Sequence, residues 1–506
     1  MRWAWGAGVV AAVVVAVLNW QHALSNTDFI YMCAAARYVA DGGYPLTPYF
    51  PAGYPVLLWL LVQTGLTALT SGVLLSAIGT GLSAAAVCWT ALRLKLPSYL
   101  SLALGLLALT LPDVFTLAFN PHLDALYTGL ALWVLALALA ILAGDDRKAL
   151  TGGLVTALVI LGFLRFEALL LALPLGLVLV CHKRPARTAG WWLLLFVLVF
   201  APFHYSQLSQ QTGSWQPAAF DQVRASQASL YDRGATEQVS TDYAEFLKTA
   251  PPFSLRMAVD NARSTWPQYL LRRALWLGLA VWLVAILVGR YPLRSHWLVL
   301  FILGYTLAAA PVGFTPQASA LAELAALLLI AQALAALLAP RADAPEPSLR
   351  TVGVLFTLML VLGSGYNIWR EVPVVQHWWQ THADVLAANE EALATAGGER
   401  LHLLGPLDYT AWPVSGRENL PGATYSRHWL DDPRAAHVVD PYIPRVEPGE
   451  LVPGNAPVSV ILLWERHAGQ PAPSAELELI DRLEGSWVWR EEIGVTPGTR
   501  LWVRGG

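Results

Sequence analysis

"ALTGGLVTALVILGFLRFEALLLALPLGLVLVC", residues 149–181, is an apolar stretch that is interrupted at its centre by Arg165 and Glu167. A helix needs about 20 apolar residues to cross the roughly 30 Å hydrocarbon core of a bilayer. The stretch is therefore too long for one crossing and short for two. Two short helices that meet at a turn near residues 164–167 would account for both its length and its two charges. The sequence predicts a helical hairpin here.

The whole chain has the composition of a membrane protein. Of its 506 residues, 56% are hydrophobic and 13% are charged, whereas an average soluble domain has about 25% charged residues. The net charge of −3 offers no basic surface to a nucleic acid. Three cysteines do not suggest a disulfide framework. The composition predicts a polytopic α-helical membrane protein that has the lipid bilayer, and no nucleic acid, as a partner.

Apolar runs along the chain predict about eleven transmembrane helices. They are residues 3–20, 73–94, 98–113, 124–143, 149–164, 166–181, 190–207, 269–290, 296–313, 318–339 and 351–369. The run at 54–70 is shorter, and we expect it to lie at the membrane interface. The first run could instead be a signal peptide that is cleaved after residues 23–25.

Basic residues predict how the chain is oriented. If residues 149–181 cross twice, the basic loops all fall on one side, which the positive-inside rule makes cytoplasmic. Their residues are Arg2, Arg93, Lys95, Arg147, Lys148, the cluster at 182–187, Arg290, Arg294, Arg341 and Arg350. A single crossing would put the cluster at 182–187 outside. The sequence thus predicts a multi-pass protein of the plasma (inner) membrane with a cytoplasmic N-terminus.

Two domains are expected. Residues 1–369 form the transmembrane domain, with outer loops at 21–72 and 208–268. Residues 370–506 contain no spanning run and are rich in Asp, Glu, Pro and Gly. Their pattern is helical at 382–396 and strand-like at three places, 400–405, 458–465 and 499–505. The sequence predicts a small α/β or α+β domain on the extracytoplasmic or periplasmic side.

The first outer loop carries a carboxylate in "NTDFIYMCAAARYVADGGYP", residues 26–45. Asp28 could cap the Ala-rich helix that follows, but Asn26 and Thr27 could serve as the cap equally well. Asp28 would then be left for chemistry on the outer side. Tyr31 follows it at a spacing of three and shares its helical face, so both side chains could line one site.

This loop and two further motifs resemble GT-C glycosyltransferases, closest in pattern to the protein O-mannosyltransferase and aminoarabinose-transferase type (glycosyltransferase family 39 and relatives). In the loop the matching residues are Asp28, Ala36, Gly42, Gly43, Tyr44, Pro45, Pro51, Tyr54 and Pro55. The other motifs are "FNPHLDALYTGLALWVLALALA" (119–140) and "GGLVTALVILGFLRFEALLLALPL" (152–175). The resemblance covers about residues 3–340, and the C-terminal part is similar to the variable outer domains of such enzymes.

The resemblance implies a hexosyl- or pentosyltransferase that moves a sugar from a polyprenyl-phosphate lipid to a glycan, lipid or protein acceptor on the extracytoplasmic face. Asp28 matches the catalytic carboxylate of the family. One base is enough for an inverting displacement, because it takes the proton of the attacking hydroxyl. The phosphate leaves as a stable anion, so it needs cations and N–H donors rather than an acid.

Arg165 is the main candidate for holding that phosphate. A charge at membrane depth is costly and marks a functional site or an ion pair. The alternative is a pair with Glu167, which requires the predicted turn because positions i and i+2 of a helix do not face each other. Arg272 and Arg273 begin the span at 269–290, and they are either further phosphate ligands or interfacial anchors.

His122, Asp124 and Glu323 complete the candidate substrate-binding residues. His122 and Asp124 could orient the donor or acceptor, or they could simply begin a helix after Pro121. Glu323 lies about two turns inside its span, and the family commonly has Arg or His where this span begins with Gln317. No metal-binding spacing occurs nearby, so no cofactor is predicted and a divalent cation is not favoured.

Two other classes of function remain open. A flippase or transporter for lipid-linked sugars would have broken helices at the midplane and two related halves. The sequence has no evident related halves, and its ionisable residues gather near the predicted outer face. A non-catalytic membrane assembly protein would use its outer domain to bind a partner. The glycosyltransferase is the leading hypothesis.

Overall fold

A computed structural model describes the helical part of the chain and five strands. The described residues are 2–19, 29, 32, 36, 51–66, 68–119, 122–145, 147–212, 254–289, 296–312, 316–339, 351, 353–373, 376, 401–404, 435–439, 460–464, 487–490 and 499–504.

Most of the described residues are helical. The first helices are α1 (Arg2–Asn19), α2 (Gly53–Gln63), α3 (Ala68–Arg93), α4 (Ser98–Thr110), α5 (Pro112–Phe119), α6 (Leu123–Leu142) and α7 (Lys148–Leu164). They are followed by α8 (Ala168–Val180), α9 (Ala186–Thr212), α10 (Leu255–Leu270), α11 (Arg273–Leu287), α12 (His296–Ala309), α13 (Pro316–Leu337) and α14 (residues 353–373). Each apolar run of the sequence overlaps at least one of these helices.

Helices α3, α6 and α13 form the interior of the bundle. In their most apolar windows 83% of α3, 83% of α6 and 78% of α13 is buried, whereas only 28% of α1 and of α9 is buried. Helix α3 packs against α1, α4 and α6, and α13 packs against α11, α12 and α6. A helix that is apolar on every face must be buried in protein or lie in lipid. Helices α3, α6 and α13 are the first case, and α1 and α9 are the second.

Glycines allow α3 and α6 to touch along their backbones. A Cβ atom added to Gly79 would lie 2.3 Å from the backbone of Ala125, and one added to Gly129 would lie 2.2 Å from the carbonyl oxygen of Gly79. Small residues let membrane helices approach closely and gain van der Waals contact. This close crossing fixes the start of α6, where His122 and Asp124 lie.

Two helix pairs are bent at short breaks. The sequence predicted one helix at 98–113, but the chain bends by 64° between α4 and α5. Leu111 is extended there (φ −61°, ψ 133°) because it precedes Pro112. The run at 269–290 likewise begins within α10, and the chain bends by 71° before α11. Arg272 occupies that second break in an extended conformation (φ −68°, ψ 133°).

The described helices include five that are long and apolar enough to cross a membrane, or up to seven if each bent pair is one span. The shorter apolar helices are α2, α7, α8 and α12. This is a multi-pass membrane protein. The prediction of about eleven crossings stays a prediction, since length and composition leave the shorter helices undecided.

The predicted hairpin at 149–181 is confirmed as a pair of helices. Helix α7 ends at Leu164, α8 begins at Ala168, and residues 165–167 form the turn between them. Because Arg165 lies at this turn, it can reach Glu167 although the two are only two positions apart.

The strands form one mixed sheet in the order β2-β1-β3-β5-β4. They are β1 (Leu401–Leu404), β2 (Ala435–Val439), β3 (Val460–Trp464), β4 (Trp487–Arg490) and β5 (Thr499–Arg504). Strand β1 pairs in parallel with β2 and β3, and β5 pairs antiparallel with β3 and β4.

Three of these strands coincide with the strand-like segments of the sequence, and β2 and β4 were not predicted. Both are short, and β2 begins with two alanines, which have little strand preference. The helix predicted at 382–396 lies outside the described residues. The domain division at residue 369 stays a prediction.

Candidate functional site

The turn between α7 and α8 places Arg165 at one end of the helix bundle. Arg165 is extended (φ −150°, ψ 145°), and its backbone N–H donates to the carbonyl oxygen of Leu161 over 2.8 Å. This bond closes the last turn of α7 while the side chain leaves the helix axis. Only 10% of that side chain is exposed, so its charge must be compensated within the protein.

Two carboxylates compensate the guanidinium of Arg165. Its Nη2 donates to Oδ1 of Asp124, and its Nη1 donates to Oε1 of Glu167 over 2.8 Å. Its Cζ also lies 5.9 Å from the ring centroid of Tyr127. The alternative in which Arg165 pairs with Glu167 is therefore present, together with a second and more buried partner that the sequence did not indicate.

Asp124 organises this group, which we call the Arg165 cluster: His122, Asp124, Arg165, Glu167 and Gln317. It lies in the first turn of α6 and is 3% exposed. Its Oδ2 accepts from Gln317 Nε2 and lies 2.7 Å from Nδ1 of His122. The backbone N–H of His122 is held in turn by the hydroxyl of Ser76 in α3, over 3.2 Å. The start of α6, the turn between α7 and α8, and the start of α13 thus meet at one carboxylate.

Gln317, at the start of α13, belongs to the Arg165 cluster. Its side-chain amide donates to the same Asp124 carboxylate that Arg165 contacts. A neutral donor at this position supports Asp124 and leaves Arg165 as its guanidinium partner. Sequence reasoning had noted the substitution but had not placed Gln317 in the site.

Tyrosines that the sequence analysis did not select lie beside the cluster. Tyr127, Tyr269 and Tyr305 are 1%, 1% and 7% exposed. Tyr127 and Tyr305 both lie close enough to Arg165 and Glu167 for electrostatic interaction. One signal could have found Tyr127, because it follows Asp124 at a spacing of three on the same helical face.

A second charged group surrounds Arg272 at the break between α10 and α11. Its Nη2 lies 3.1 Å from Oδ2 of Asp113, and its Nε donates to the hydroxyl of Ser319 over 3.1 Å. Asp113 lies in the first turn of α5, directly after the other break.

Glu323 belongs to this second group, the Arg272 cluster: Asp113, Arg272, Ser319, Glu323, Arg370 and Glu371. Glu323 lies two turns into α13 and is 2% exposed, and it lies near Asp113, Arg272, Arg370 and Glu371. Arg370 and Glu371, near the end of α14, form an ion pair of 2.9 Å. The sequence analysis had selected neither of them.

Comparison with known proteins identifies the fold. No family model matches the chain, and no curated protein matches it. A crystal structure of ArnT from Cupriavidus metallidurans bound to undecaprenyl phosphate is similar, with a TM-score of 0.55 and 13% identity over 98% of this chain and 97% of ArnT. For ArnT in the apo state the TM-score is 0.52 and the identity is 15%, over 98% of this chain and 97% of ArnT. This chain has a GT-C fold.

The resemblance that the sequence suggested is thus confirmed for the GT-C fold, and the similarity extends beyond residue 340 to 98% of the chain. The crystal structure of an oligosaccharyltransferase from Archaeoglobus fulgidus, in complex with Zn and sulfate, is also similar. Its TM-score is 0.47 at 13% identity, over 90% of this chain and 68% of that one. That score is too low to support an argument.

The two adjacent arginines, Arg272 and Arg273, lie in different surroundings. Arg272 belongs to the Arg272 cluster, whereas Arg273 is exposed and its Cζ lies 5.3 Å from the ring centroid of Tyr366. Such a cation–π contact at an exposed position is what an interfacial anchor makes. Of the two readings of Arg273, this contact with α14 favours the anchor.

Asp28 and Tyr31 lie outside the described residues. Their neighbours Phe29, Met32 and Ala36 are helical and buried, with exposed fractions of 0%, 0% and 7%. This spacing fits the helix that was predicted to follow Asp28. The convergence of Asp28 and Arg165 on one site stays a prediction.

In the described part of the chain, no three His, Cys, Asp or Glu side chains are arranged to hold a metal ion. The carboxylates near Arg165 are engaged by it, since Asp124 and Glu167 each bind its guanidinium.

The opposite end of the α6–α7 hairpin carries a separate ion-pair network. Asp145 binds Arg93 at the end of α3 and Arg147 before α7, with 2.9 Å between Arg147 Nη2 and Asp145 Oδ2. Hydrogen bonds from Arg147, and then those of Arg93, lower the pKa of Asp145 to about 2. This network places Arg93 and Arg147 at the same end of the bundle, as the orientation argument required.

Proposed function

We propose that this protein is a membrane glycosyltransferase that moves a sugar from a polyprenyl-phosphate lipid to a glycan, lipid or protein on the extracytoplasmic face. One observation carries the proposal: a nearly buried arginine, held by a carboxylate deep in the bundle, lies at the tip of a short helical hairpin in a chain with a GT-C fold. ArnT, which has this fold, was crystallised with undecaprenyl phosphate. Arg165 is our candidate for the phosphate ligand.

Arg165 suits that role because of its shape and its support. A guanidinium presents a fixed fork of N–H donors that matches phosphate oxygens. Asp124 accepts from Nη2 of Arg165, and His122 and Gln317 contact the other oxygen of the Asp124 carboxylate. A phosphate ligand that is already oriented loses little entropy when the substrate binds. We assign Asp124, His122 and Gln317 to positioning Arg165 rather than to touching the sugar.

The proposed reaction is an inverting displacement. Asp28 takes the proton of the acceptor hydroxyl as that oxygen attacks the anomeric carbon. The bond from the anomeric carbon to the phosphate oxygen breaks, and its electron pair leaves with the phosphate. Arg165 stabilises the negative charge that develops there. Tyr31 would line the acceptor side, and Arg272 and Glu323 would border the site from α11 and α13.

The proposed topology follows the positive-inside rule. We place the N-terminus and the Asp145 network in the cytoplasm and the Arg165 cluster at the outer face of the plasma (inner) membrane. The short helices α7, α8 and α12 are counted as crossings, which gives about eleven. The residues after 369 would then form an extracytoplasmic domain.

A lipid-linked-sugar flippase is a second candidate, because two helix pairs are bent by 64° and 71° and broken helices are common at transporter sites. One experiment separates the two functions. Purified full-length protein in liposomes is incubated with polyprenyl-phosphate sugars and a panel of acceptors. Transfer of labelled sugar supports the glycosyltransferase. Movement of labelled lipid between leaflets without transfer overturns it, and the absence of both leaves an assembly protein.

A further inference from the structure

The two carboxylates that bind Arg165 differ sharply in exposure. The side chain of Asp124 is 4% exposed, and it is also bound by His122 and Gln317. The side chain of Glu167 is 42% exposed. If Asp124 moved away from Arg165, its carboxylate would stay buried without a partner. Glu167 can instead move into water at little cost in free energy. Only Glu167 is easily replaced.

The side chain of Glu167 has no other hydrogen bond within the described residues. Glu167 directly precedes α8, a position where a carboxylate could cap the helix, but its side chain makes no capping bond. The start of α8 is instead served by its backbone carbonyl, which accepts from the N–H groups of Leu170 and Leu171 at 3.0 and 3.2 Å. Contact with Arg165 is thus what this carboxylate does in the structure.

Glu167 is the partner of Arg165 that a phosphate can displace. Nη2 of Arg165 is bound by the buried Asp124, and Nη1 by the half-exposed Glu167. Phosphate oxygens and carboxylate oxygens accept from a guanidinium in the same way. A phosphate can take the N–H that Glu167 now occupies only after Glu167 has moved away, and like charge opposes the presence of both anions at one guanidinium.

We propose that Glu167 is an internal anion that competes with lipid phosphate for Nη1 of Arg165. This inference rests on the proposed function and deepens it. Glu167 weakens the binding of both donor and product, and it returns to Arg165 when the product leaves. A phosphate monoester carries about −1.5 to −2 charges at neutral pH, more than the diester of the donor. Without a competing carboxylate, the product would be held too tightly after the sugar has been transferred.

The test measures binding of a polyprenyl monophosphate, without any sugar, to the full-length protein in nanodiscs. We expect Glu167→Gln to lower the Kd by about two- to fivefold, which is the strength of a partly exposed ion pair. The gain should shrink at high salt because exposed charges are screened. Asp145→Asn is the matched control. It neutralises another partly exposed carboxylate that binds arginine, at the other end of α7. It should leave the Kd unchanged.

Arg165→Gln combined with Asp124→Asn, which leaves no unpaired charge of Asp124 inside the protein, separates the two proposals. If this double variant weakens binding while Glu167→Gln leaves the Kd unchanged or raises it, the competition is overturned and Arg165 remains the phosphate ligand. If the double variant leaves the Kd unchanged, the phosphate does not bind there, and both the competition and the assigned role of Arg165 are overturned. Glu167→Gln should also strengthen product inhibition of sugar transfer by the same factor, since inhibition and binding then report one site.

Discussion

Arg272 and Asp113 join the two breaks of the bundle: the residue at the α10–α11 break lies 3.1 Å from the first acid after the α4–α5 break. A helix break leaves backbone groups without helical partners, and its geometry must be fixed by something outside the helix. This ion pair connects the two bends directly. Ser319 in α13 binds Arg272 as well, so the central helix is tied to the same point.

We predict unequal costs for removing the two partners. Arg272→Gln leaves the carboxylate of Asp113, 12% exposed, without its guanidinium, while Asp113→Asn leaves Arg272, which is 31% exposed. The first change should cost about 3 kcal/mol, the usual loss when one partner of a buried pair is removed, and the second clearly less. Thermal unfolding in detergent measures both. Arg273→Gln is the control, with an expected cost below about 1 kcal/mol for an exposed cation–π contact; equal losses at 272 and 273 would contradict the assignment.

For Arg165 the structure changes how the substitution must be made. Arg165→Ala alone leaves Asp124 buried and uncompensated, so a loss of activity could come from folding. Arg165→Gln combined with Asp124→Asn removes both charges together and should restore the stability that Arg165→Gln loses. We expect the double variant to raise the donor KM by about tenfold to a hundredfold, the value of one or two hydrogen bonds to a charged group. A donor KM close to that of the wild-type protein would rule out the phosphate role.

Much of this arrangement could be predicted from the sequence. The length of residues 149–181 and the charges at its centre were enough to place the turn at Arg165. Because that turn reverses the direction of the chain, it also led to the prediction that the basic loops share one side of the membrane. The positions of the helices could also be predicted, because an apolar run of membrane length is typical of a spanning helix.

The partners of each charge could not be predicted. Asp124 and Gln317 are separated by 193 positions, and no periodicity relates them. Their contact depends on how α13 packs against α6, which follows from side-chain shape along both helices. The helix breaks were missed because each run is close to the length of one spanning helix. Pro112 and Asp113 were visible signals at one break, and Arg272 and Arg273 at the other.

Gln317 offers a test of the Asp124 network. Gln317→Glu places a second carboxylate against Asp124 and should destabilise the protein by about 1–3 kcal/mol, since a donor is lost and like charges meet. Gln317→His keeps an N–H donor, so it should stay close to the wild-type stability. Thermal unfolding of both variants decides the matter. If glutamate and histidine are tolerated equally, Gln317 does not donate to Asp124.

The Asp145 network predicts a pH dependence at the opposite end of the bundle. The pKa of Asp145 is lowered from 3.8 to about 2 by the bonds from Arg147 and Arg93. The carboxylate therefore stabilises the folded state above about pH 4, and that stabilisation is lost as the pH falls toward 2. Asp145→Asn should lower the unfolding temperature at pH 7 and flatten its decline between pH 4 and pH 2. Parallel curves for the two proteins would show that the ion pairs contribute nothing.

Asp28 carries the chemistry of the proposed reaction, and its substitution is the sharpest test of it. Asp28→Asn keeps the size and the capping ability of the side chain but cannot accept the proton of the acceptor hydroxyl. We expect sugar transfer to fall by about 10²- to 10⁴-fold, the usual contribution of a general base. Binding of a polyprenyl monophosphate and the unfolding temperature should not change, because Arg165 is the proposed phosphate ligand and asparagine caps a helix as well as aspartate does. If the variant transfers sugar at the wild-type rate, Asp28 is a helix cap and another group must act as the base.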